Sequence, residues 1–224
     1  MARSDRLPSV RRAVFVVWAT PPKGRRSLVL GTDLGVDEVA YLADEWRPGL
    51  AADPLKYPRH LWRTARLLLR RRPRVVFVQS PPSPAVWTVA LYCAMTGARF
   101  VVDAHSDAFQ RDRWLRPHWL NRLASRRAAA TLVTDPHWAA WLERRGARAM
   151  VIPDIPRIGS DGPPPPAPSP ESGFQLLVVN TWSVDEPLRE VIAAAAELPD
   201  VTFHVTGRRD GRVQQLGPLP RNVR

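Results

Sequence analysis

Short apolar runs rich in β-branched residues alternate with helical patterns along the first two thirds of the chain. The runs predict strands at 14–18, 39–42, 75–78, 100–102, 131–133 and 150–152. Between them, apolar residues recur at the spacing of buried or amphipathic helices. These predict a short helix ending near Gly35 and longer ones at 59–72, 85–95, 114–127 and 136–145. Strands that alternate with helices form parallel sheets covered on both faces, so the pattern predicts a doubly wound, Rossmann-like α/β fold.

A proline-rich stretch interrupts this rhythm and divides the chain into three parts. Residues 1–158 form the first predicted domain, 159–173 a semi-extended linker, and 174–224 the start of a second domain. The second part contains one predicted β-α-β unit, with strands at 176–179 and 201–205 around a helix at 187–198. Because two strands cannot bury both faces of a parallel sheet, we expect this second domain to be incomplete.

Composition narrows the class of protein without changing the fold. The chain has 224 residues, of which 45% are apolar and one is cysteine, Cys93, so a disulfide-stapled or collagen-like chain is excluded. The longest apolar run, Ala85 to Met95, is far shorter than the roughly 20 residues that span a bilayer. The residues before Pro21 contain no apolar stretch of the length that a signal peptide needs, so we expect none. We therefore expect a cytoplasmic protein, attached peripherally if it meets a membrane.

The positive charge is concentrated in the first domain. Residues 1–150 contain 26 Lys and Arg against 12 Asp and Glu, whereas residues 151–224 contain 7 against 9. This imbalance favours an anionic partner: nucleic acid, a phosphorylated substrate, or an acidic membrane surface. The alternative is a general arginine bias that produces solvated faces.

Two basic stretches carry most of this charge. Residues 56–74 hold Lys56 and seven arginines with no acid, and residues 111–127 hold six arginines with one acid. Tryptophans and leucines accompany the arginines in both, so these helices either lie on an anionic bilayer or present ordinary solvated outer faces. Nothing resembles a nucleic-acid-binding module, and we expect no nucleic-acid partner.

Loops that follow strands are where ligands bind in this fold class. The loop after the first strand contains Lys23, Gly24 and Arg25 ahead of a helix, a combination that suits a phosphate but also occurs in ordinary turns. It is not a P-loop, because lysine precedes glycine and the upstream glycine is missing.

Two further strand ends carry polar residues. The third strand runs into Gln79, Ser80, Pro81 and Pro82. The two prolines make this loop rigid, which suits either one wall of a binding site or an ordinary connection to the next helix. The fourth strand runs into Asp103-Ala104-His105. A neighbouring carboxylate can orient the imidazole for general acid/base chemistry, or the histidine simply forms a hydrogen bond within the loop. The other histidines are scattered singly, so no metal site is predicted. Nucleophile-elbow and dinucleotide motifs are missing.

Taken together, these segments resemble the GT-B glycosyltransferases of the family 4 type. The residues that carry the resemblance are the 76–82 segment, Phe100 to His105, and Thr131 to Thr134, in that order and spacing. The match looks closest to the β-mannosyltransferase branch that acts on dolichol-linked chitobiose, and to its bacterial relatives. In the second domain, residues 179–187 and 205–208 resemble the opening of the donor domain and the loop after its next strand.

The resemblance implies two Rossmann-like domains that transfer a sugar from a nucleotide-sugar to a lipid-linked, phosphorylated or glycan acceptor. It implies that His105 and Asp103 lie near the reacting centre, and that residues 79–82 and 23–26 line the acceptor side. It places Thr181, Trp182, Ser183 and Arg208 near the donor diphosphate, with no metal and no cofactor beyond the nucleotide-sugar itself.

The sequence departs from the pattern in two places. Ala104 stands where the mannosyltransferase branch has tryptophan, so the acceptor is left open. The family also continues beyond the point where this chain ends, so we expect little or no transfer by the 224 residues alone. The second hypothesis is a non-catalytic α/β module that binds an anionic surface through its basic helices.

Overall fold

The computed structural model describes residues 12–20, 25–43, 55–153, 173–180, 186–207 and 218–224. The chain divides into two compact units, Met1–Arg157 and Ile158–Arg224. Among the described residues, no helix combines the length and the apolar character needed to cross a bilayer.

The first unit alternates strands and helices throughout. Its strands are β1 (Ala13–Val17), β2 (Glu38–Tyr41), β3 (Val75–Ser80), β4 (Arg99–Ala104), β5 (Ala130–Val133) and β6 (Ala149–Val151). Its helices are α1 (Arg25–Asp33), α2 (Lys56–Arg71), α3 (Ser83–Thr96), α4 (Asp107–Gln110), α5 (Asp112–Leu115), α6 (His118–Arg127) and α7 (Pro136–Glu143).

The six strands form one parallel sheet in the order β2-β1-β3-β4-β5-β6. The apolar, largely β-branched β1 is buried along its whole length because helices cover the sheet on both faces. On one face Val14 and Val16 pack in a core shared with α2, α3, α6 and α7. On the other face Phe15 and Phe77 pack with residues of α1.

Helix α3 shows why the chain reverses where it does. It is apolar on nearly all sides, and Pro84 lies in its first turn, where a missing N–H costs no hydrogen bond. It ends at Gly97, which has a φ of 72° and whose N–H bonds the carbonyl of Cys93. A left-handed glycine of this kind is a common helix terminator, and it directs the chain into β4.

The helix predicted over 114–127 is wrong as a single element. The structure has two helices there, α5 ending at Leu115 and α6 beginning at His118. Pro117 separates them, because a proline disfavours helical backbone in the residue before it and lacks a backbone donor. Arg116 accordingly has an extended backbone, with φ −92° and ψ 140°.

The second unit contains β7 (Phe174–Val178), α8 (Leu188–Glu197) and β8 (Val201–Val205). The two strands pair in parallel, and their inner residues pack with α8. Val223 forms a parallel bridge with Phe203, so the end of the chain lies beside β8. The side chain of Asn222 donates to the carbonyls of Ala195, Leu198 and Val201, which ties this segment to the end of α8.

Candidate functional site

The carboxyl ends of β3 and β4 bring the predicted site residues of the first unit together. Gln79 pairs in register with Asp103, and Ser80 pairs with Ala104. Because successive side chains of a strand point to opposite faces, Gln79 and Asp103 lie on one face of the sheet and Ser80 and Ala104 on the other. The sequence grouped Gln79 and Ser80 on one wall, whereas the structure separates them.

Asp103 is the centre of the cluster on the α1 face. Its side chain is fully buried, and the first turn of α1 supplies two donors to it. Arg26 Nε lies 3.0 Å from Asp103 Oδ1, and Ser27 Oγ lies 3.1 Å from Asp103 Oδ2. Arg26 also donates through Nη2 to the carbonyl of Ile152, at 2.9 Å, just beyond β6. One arginine therefore joins α1 to two separate strand ends.

The surroundings of Asp103 hold its carboxylate in the charged state. Burial by itself acts to raise the pKa of this carboxyl, since a charge loses hydration in the protein interior. The hydrogen bonds and positive charges of His105 and Arg26 outweigh burial and lower the pKa of Asp103 below its ordinary value. A buried carboxylate that stays charged at neutral pH is suited to orienting a neighbouring group.

His105 is that neighbouring group. It follows β4 directly, and its backbone N–H donates to the carbonyl of Ser80 at 2.8 Å, which fixes the position of the loop. Its Nε2 lies 3.6 Å from Asp103 Oδ2, an ion-pair distance when the ring is protonated. Nε2 itself is buried, but the side chain as a whole is 31% exposed, so a ligand can reach the other atoms of the ring. An imidazole backed by a carboxylate can accept or donate a proton or stabilise developing charge.

Gln79 adds an unused polar atom to the same face. Its side chain is buried, and Oε1 has no hydrogen-bond partner among the described residues. Buried polar atoms in folded proteins nearly always find a partner, so an unpaired acceptor beside a reachable histidine suggests a ligand or water donor. Pro81 and Pro82, which follow, are half-buried, and the peptide bonds preceding both are cis.

Several predicted site residues fall outside the described part of the chain. Lys23 and Gly24 lie there, and so do the donor-side residues Thr181, Trp182, Ser183 and Arg208. Arg25 is the first residue of α1, and its side chain is also outside the description. Their predicted roles stay predictions.

The sequence did not predict that Ser27 bonds Asp103, and it placed Arg26 only in a loop that lines the acceptor side. Both residues lie in the first turn of the helix that follows β1, where polar side chains are near the strand ends. Their partner, Asp103, is 77 residues from Arg26 in the sequence. Nothing local to either segment indicates this pairing.

In the second unit, Asn180 and Thr206 connect the two loops that follow β7 and β8. The N–H of Asn180 donates to Thr206 Oγ1 at 2.9 Å, and that hydroxyl donates to the carbonyl of Asn180 at 3.1 Å. The predicted donor segment 181–183 follows Asn180 immediately, and Arg208 is two residues beyond Thr206. These bonds therefore hold together the points from which both predicted donor segments begin.

Within the described ranges, no group of three or more histidine, cysteine, aspartate or glutamate side chains is placed to hold a metal ion. Asp103 and His105 lie at the end of β4, and Arg26 forms an ion pair with the Asp103 carboxylate.

The sequence and fold resemble known proteins. The family model described as "Glycosyl transferase 4-like domain" matches residues 8–154. No curated protein shows a significant match. Among solved structures, lipopolysaccharide outer core galactosyltransferase WaaB in its apo form is 12% identical, with a TM-score of 0.57, and 95% of this chain aligns with 66% of that one.

Two further structures carry bound nucleotides. HepE from Anabaena, in complex with UDP-glucose, is 15% identical over 95% of this chain and 67% of its own, with a TM-score of 0.58. MnaA from S. aureus, with UDP, is 12% identical over 91% of this chain and 64% of its own, with a TM-score of 0.57. This chain thus spans about two thirds of their length. Likeness at this identity establishes the fold, and it confirms the predicted Rossmann-like, GT-B type of α/β architecture.

Proposed function

The chain belongs to the glycosyl transferase 4-like domain family, and from this we propose that it transfers a sugar from a nucleotide-sugar to an acceptor. The single observation that carries the proposal is the cluster of His105, Asp103 and Arg26 at the strand ends, where ligands bind in this fold. A reachable imidazole supported by a buried ion pair is the arrangement that a transfer reaction can use.

We assign different roles to the two residues that the sequence grouped as catalytic. His105 is exposed enough to touch substrate and is the proposed catalytic residue, acting on an acceptor hydroxyl or on the transferred sugar. Asp103 is fully buried, so it acts as a positioning residue that orients the ring. Arg26 and Ser27 keep the carboxylate fixed through their two hydrogen bonds.

We propose that the second unit binds the donor diphosphate through Thr181, Trp182, Ser183 and Arg208. The structures of HepE and MnaA, which contain UDP-glucose and UDP, support a nucleotide-sugar donor. Negative charge develops on a departing nucleoside diphosphate, and fixed donors and arginines can stabilise it without a metal or another cofactor.

The acceptor side is proposed to comprise Lys23, Gly24 and Arg25 together with residues 79–82. The basic charge of residues 1–150 supports a phosphorylated or lipid-linked acceptor, and glycans are the remaining class. The likeness to the chitobiose β-mannosyltransferase branch rests on the loops after β3 and β4, where Ala104 is the residue that departs from it.

The test is a nucleotide-sugar screen joined to a histidine substitution. In a protein extended to the full length of the solved structures that it resembles, UDP is expected to raise the melting temperature, and His105→Asn is expected to lower kcat at least ~100-fold while leaving that shift unchanged. His204→Asn is the matched control, because His204 is half-buried and bonds Gln175 within the second unit. A kcat unchanged by His105→Asn, with UDP protection retained, would remove His105 from the mechanism.

The same assay, applied to the 224-residue chain, tests a second proposal. The chain spans about two thirds of the solved structures that it resembles, so we propose that its 224 residues alone transfer little or no sugar. Transfer by the 224-residue chain at a rate typical of enzymes, on the order of 10 per second, would contradict this.

A second proposed role, binding an anionic membrane surface, is favoured by one face of the first unit. Helix α3 packs against both α2 and α6. Their outer sides expose large apolar residues, namely Trp62, Leu69, Leu91, Met95 and Trp119. Exposed arginines lie among them, and the guanidinium of Arg66 stands 5.1 Å from the Trp62 ring centroid. Apolar side chains surrounded by arginine suit the headgroup region of an acidic bilayer.

Vesicle sedimentation tests this role separately from catalysis. The protein is expected to bind vesicles of 70% phosphatidylcholine and 30% phosphatidylglycerol, to ignore pure phosphatidylcholine, and to dissociate as salt rises. The double variant Trp62→Ala, Leu69→Ala should bind at least ~10-fold more weakly. Phe174→Ala, which truncates an equally exposed ring in the second unit, is the control. Binding without UDP protection would favour the non-catalytic module, and binding with it a peripheral enzyme at the inner face of the plasma membrane.

A further inference from the structure

The face of the sheet opposite Asp103 contains a cavity of about 900 Å³. It begins at the strand ends, where Ser80 and Ala104 line it, and extends beneath α6 and α7 to Thr131 on β5. Thr131 pairs in register with Val102, two residues before Ala104, so these lining positions share one face of the sheet. The cavity is in the size range of sites that enclose small molecules.

Four large aromatic side chains line part of the cavity. They belong to Phe109, Trp114, Trp138 and Trp141. The rings of Phe109 and Trp138 stack with centroids 4.7 Å apart and an angle of 16° between them, and Trp141 meets Phe109 edge-on at 5.6 Å. These rings offer flat apolar surface beside the polar lining residues, so the site suits a molecule with an apolar body better than a bare sugar.

Hydrogen bonds between α3, α5 and α6 hold part of the wall in place. Ser83 Oγ and Asn121 Nδ2 both donate to the carbonyl of Trp114, and Asn121 Oδ1 accepts from Trp87 Nε1 at 2.8 Å. These bonds fix the short helix α5 against α3 and α6. The cavity is therefore preorganised, which lowers the entropic cost of binding a ligand.

Two buried polar atoms in the lining have no partner. Thr131 is 3% exposed, and its Oγ1 lacks a hydrogen-bond partner among the described residues, as does Trp114 Nε1. An unsatisfied buried hydroxyl destabilises the folded protein, and valine would have nearly the same shape at this position. A threonine here is explained if a ligand completes its hydrogen bond.

The mouth of the cavity is positively charged. Exposed Arg122, Arg144 and Arg145 contribute to the lining, and none of the described lining residues is acidic. The guanidinium of Arg145 lies 3.6 Å from the centroid of the Trp141 ring, which places a cation directly on the aromatic wall. An anionic group entering beside the aromatic rings would meet these arginines.

We propose that this cavity binds a small molecule with an apolar body and one anionic group, the body against the aromatic wall and the anion at the arginines. Resting on the proposed function, we assign this molecule to the acceptor, because the cavity begins at Ser80, whose carbonyl bonds the N–H of His105. The site would then hold the acceptor through its apolar part, on the opposite face of the sheet from Asp103 and next to the ends of β3 and β4.

Binding is measured without any donor, by quenching of tryptophan fluorescence and by calorimetry. The probes are 1-naphthyl phosphate, decyl phosphate and inorganic phosphate. Both organic phosphates, or one of them, should bind at least ~10-fold more tightly than inorganic phosphate, since apolar area supplies the affinity. Whichever organic phosphate binds more tightly indicates whether the apolar part of the natural ligand is aromatic or aliphatic. Equal affinity for all three would overturn the proposal.

Variants locate the binding to this cavity. Thr131→Val should weaken the preferred probe about five-fold by removing one hydrogen bond, without lowering the melting temperature. Ala108→Leu and Ser125→Leu each add bulk to the lining from a different helix and should weaken it at least ~10-fold, so one of them suffices if the other misfolds. Thr96→Val is the control, because that hydroxyl bonds the carbonyl of Tyr92 outside the cavity. Folded filling variants that bind normally would overturn the proposal.

Failure of this inference and failure of the proposed function give different results. If the probe binds in the cavity but no nucleotide-sugar is used and UDP gives no protection, the cavity site stands and the transferase proposal fails. If sugar transfer depends on His105 but neither the probes nor the filling variants have any effect, the cavity site fails alone.

Discussion

Burial of the charged Asp103 side chain costs free energy of folding, but it also positions His105. Removing a carboxylate from water is strongly unfavourable, and the cost is offset only when charged or polar partners replace the lost hydration. Arg26, Ser27 and His105 supply those partners. Because Arg26 is itself only 12% exposed, each charge depends on the other. The ion pair is therefore a rigid support for His105 rather than a source of net stability.

Asp103→Asn is expected to destabilise the first unit by about 3 kcal/mol at pH 7, because it leaves the Arg26 charge buried without its counter-ion. Urea denaturation measures this change. Asp112→Asn is the matched control, since the ion pair of Asp112 with Arg116 is exposed, and it should change stability by less than about 1 kcal/mol. Equal effects of the two variants would show that burial of the pair is unimportant.

The lowered pKa of Asp103 predicts how this stability depends on pH. The folded carboxyl binds its proton more weakly than the unfolded one, so protonation favours unfolding. Its contribution is complete above the unfolded pKa of about 3.9 and is lost as the pH falls through the lower folded pKa. The stability difference between wild type and Asp103→Asn, from urea midpoints, should therefore shrink below about pH 4. A constant difference down to pH 3 would contradict this.

Cys93 is predicted to be inert in the folded protein. It lies in the core, 6% exposed, and burial raises the pKa of its thiol to about 12. Only the thiolate reacts, and at pH 8 it would be about one part in 10,000. Reaction with Ellman's reagent should be absent until urea unfolds the chain. Rapid reaction in native buffer would show that the core opens around α3.

At the scale of elements, helix α1 packs against the sheet through a glycine. A Cβ added at Gly31 would lie 2.7 Å from Val39 Cγ2 and 3.4 Å from Phe15 Cδ1. The helix therefore approaches β1 and β2 more closely than any side chain would permit. This approach brings Arg26 and Ser27, in the same helix, within reach of Asp103.

Gly31→Ala is expected to destabilise the protein by about 1–3 kcal/mol through overpacking, despite the better helix propensity of alanine. The β-branched Val39 can move little to relieve the contact. Gly97→Ala is the comparison, because a Cβ there meets nothing within 4 Å and only its φ of 72° is unfavourable. It should cost about 1 kcal/mol. Urea denaturation of both variants measures the difference, and a stabilised Gly31→Ala would refute the close packing.

For the molecule as a whole, the two units have separate hydrophobic cores. The cores of the first unit contain β1 to β6 residues, and that of the second contains Phe203, Ala195 and Val223. Among the described residues of the second unit, one helix packs on the small sheet, and Leu177 and Val179 are 65% and 82% exposed. The units therefore differ greatly in how much apolar surface each one buries.

Residues 1–157 expressed alone are expected to fold and to unfold in one cooperative thermal transition, since both faces of their sheet are covered. Residues 158–224 alone should lack such a transition, because a two-stranded sheet buries too little surface. Circular dichroism melts of the two fragments provide the measurement. A cooperative melt of the shorter fragment would contradict this prediction.

Sequence patterns predicted which helices and strands form better than they predicted where each one begins and ends. The β-branched runs located all six strands of the first sheet, because buried parallel strands must be apolar on both faces. Apolar spacing continued across Pro117, however, and so predicted one helix where the backbone makes two. Periodicity records which side chains are buried, whereas the proline acts on the backbone itself.

The sequence by itself determined the class of fold, the alternation of strands and helices, and the strand-end loops that contain His105 and Asp103. Tertiary structure alone decided that Arg26 and Ser27 hold Asp103, that Gln79 and Ser80 face opposite sides of the sheet, and that aromatic rings from α4, α5 and α7 line one cavity. The physical reason is the separation along the chain of the residues that interact. Local patterns record burial and backbone preference, while these contacts join residues far apart in the chain that only sheet order and helix packing bring together.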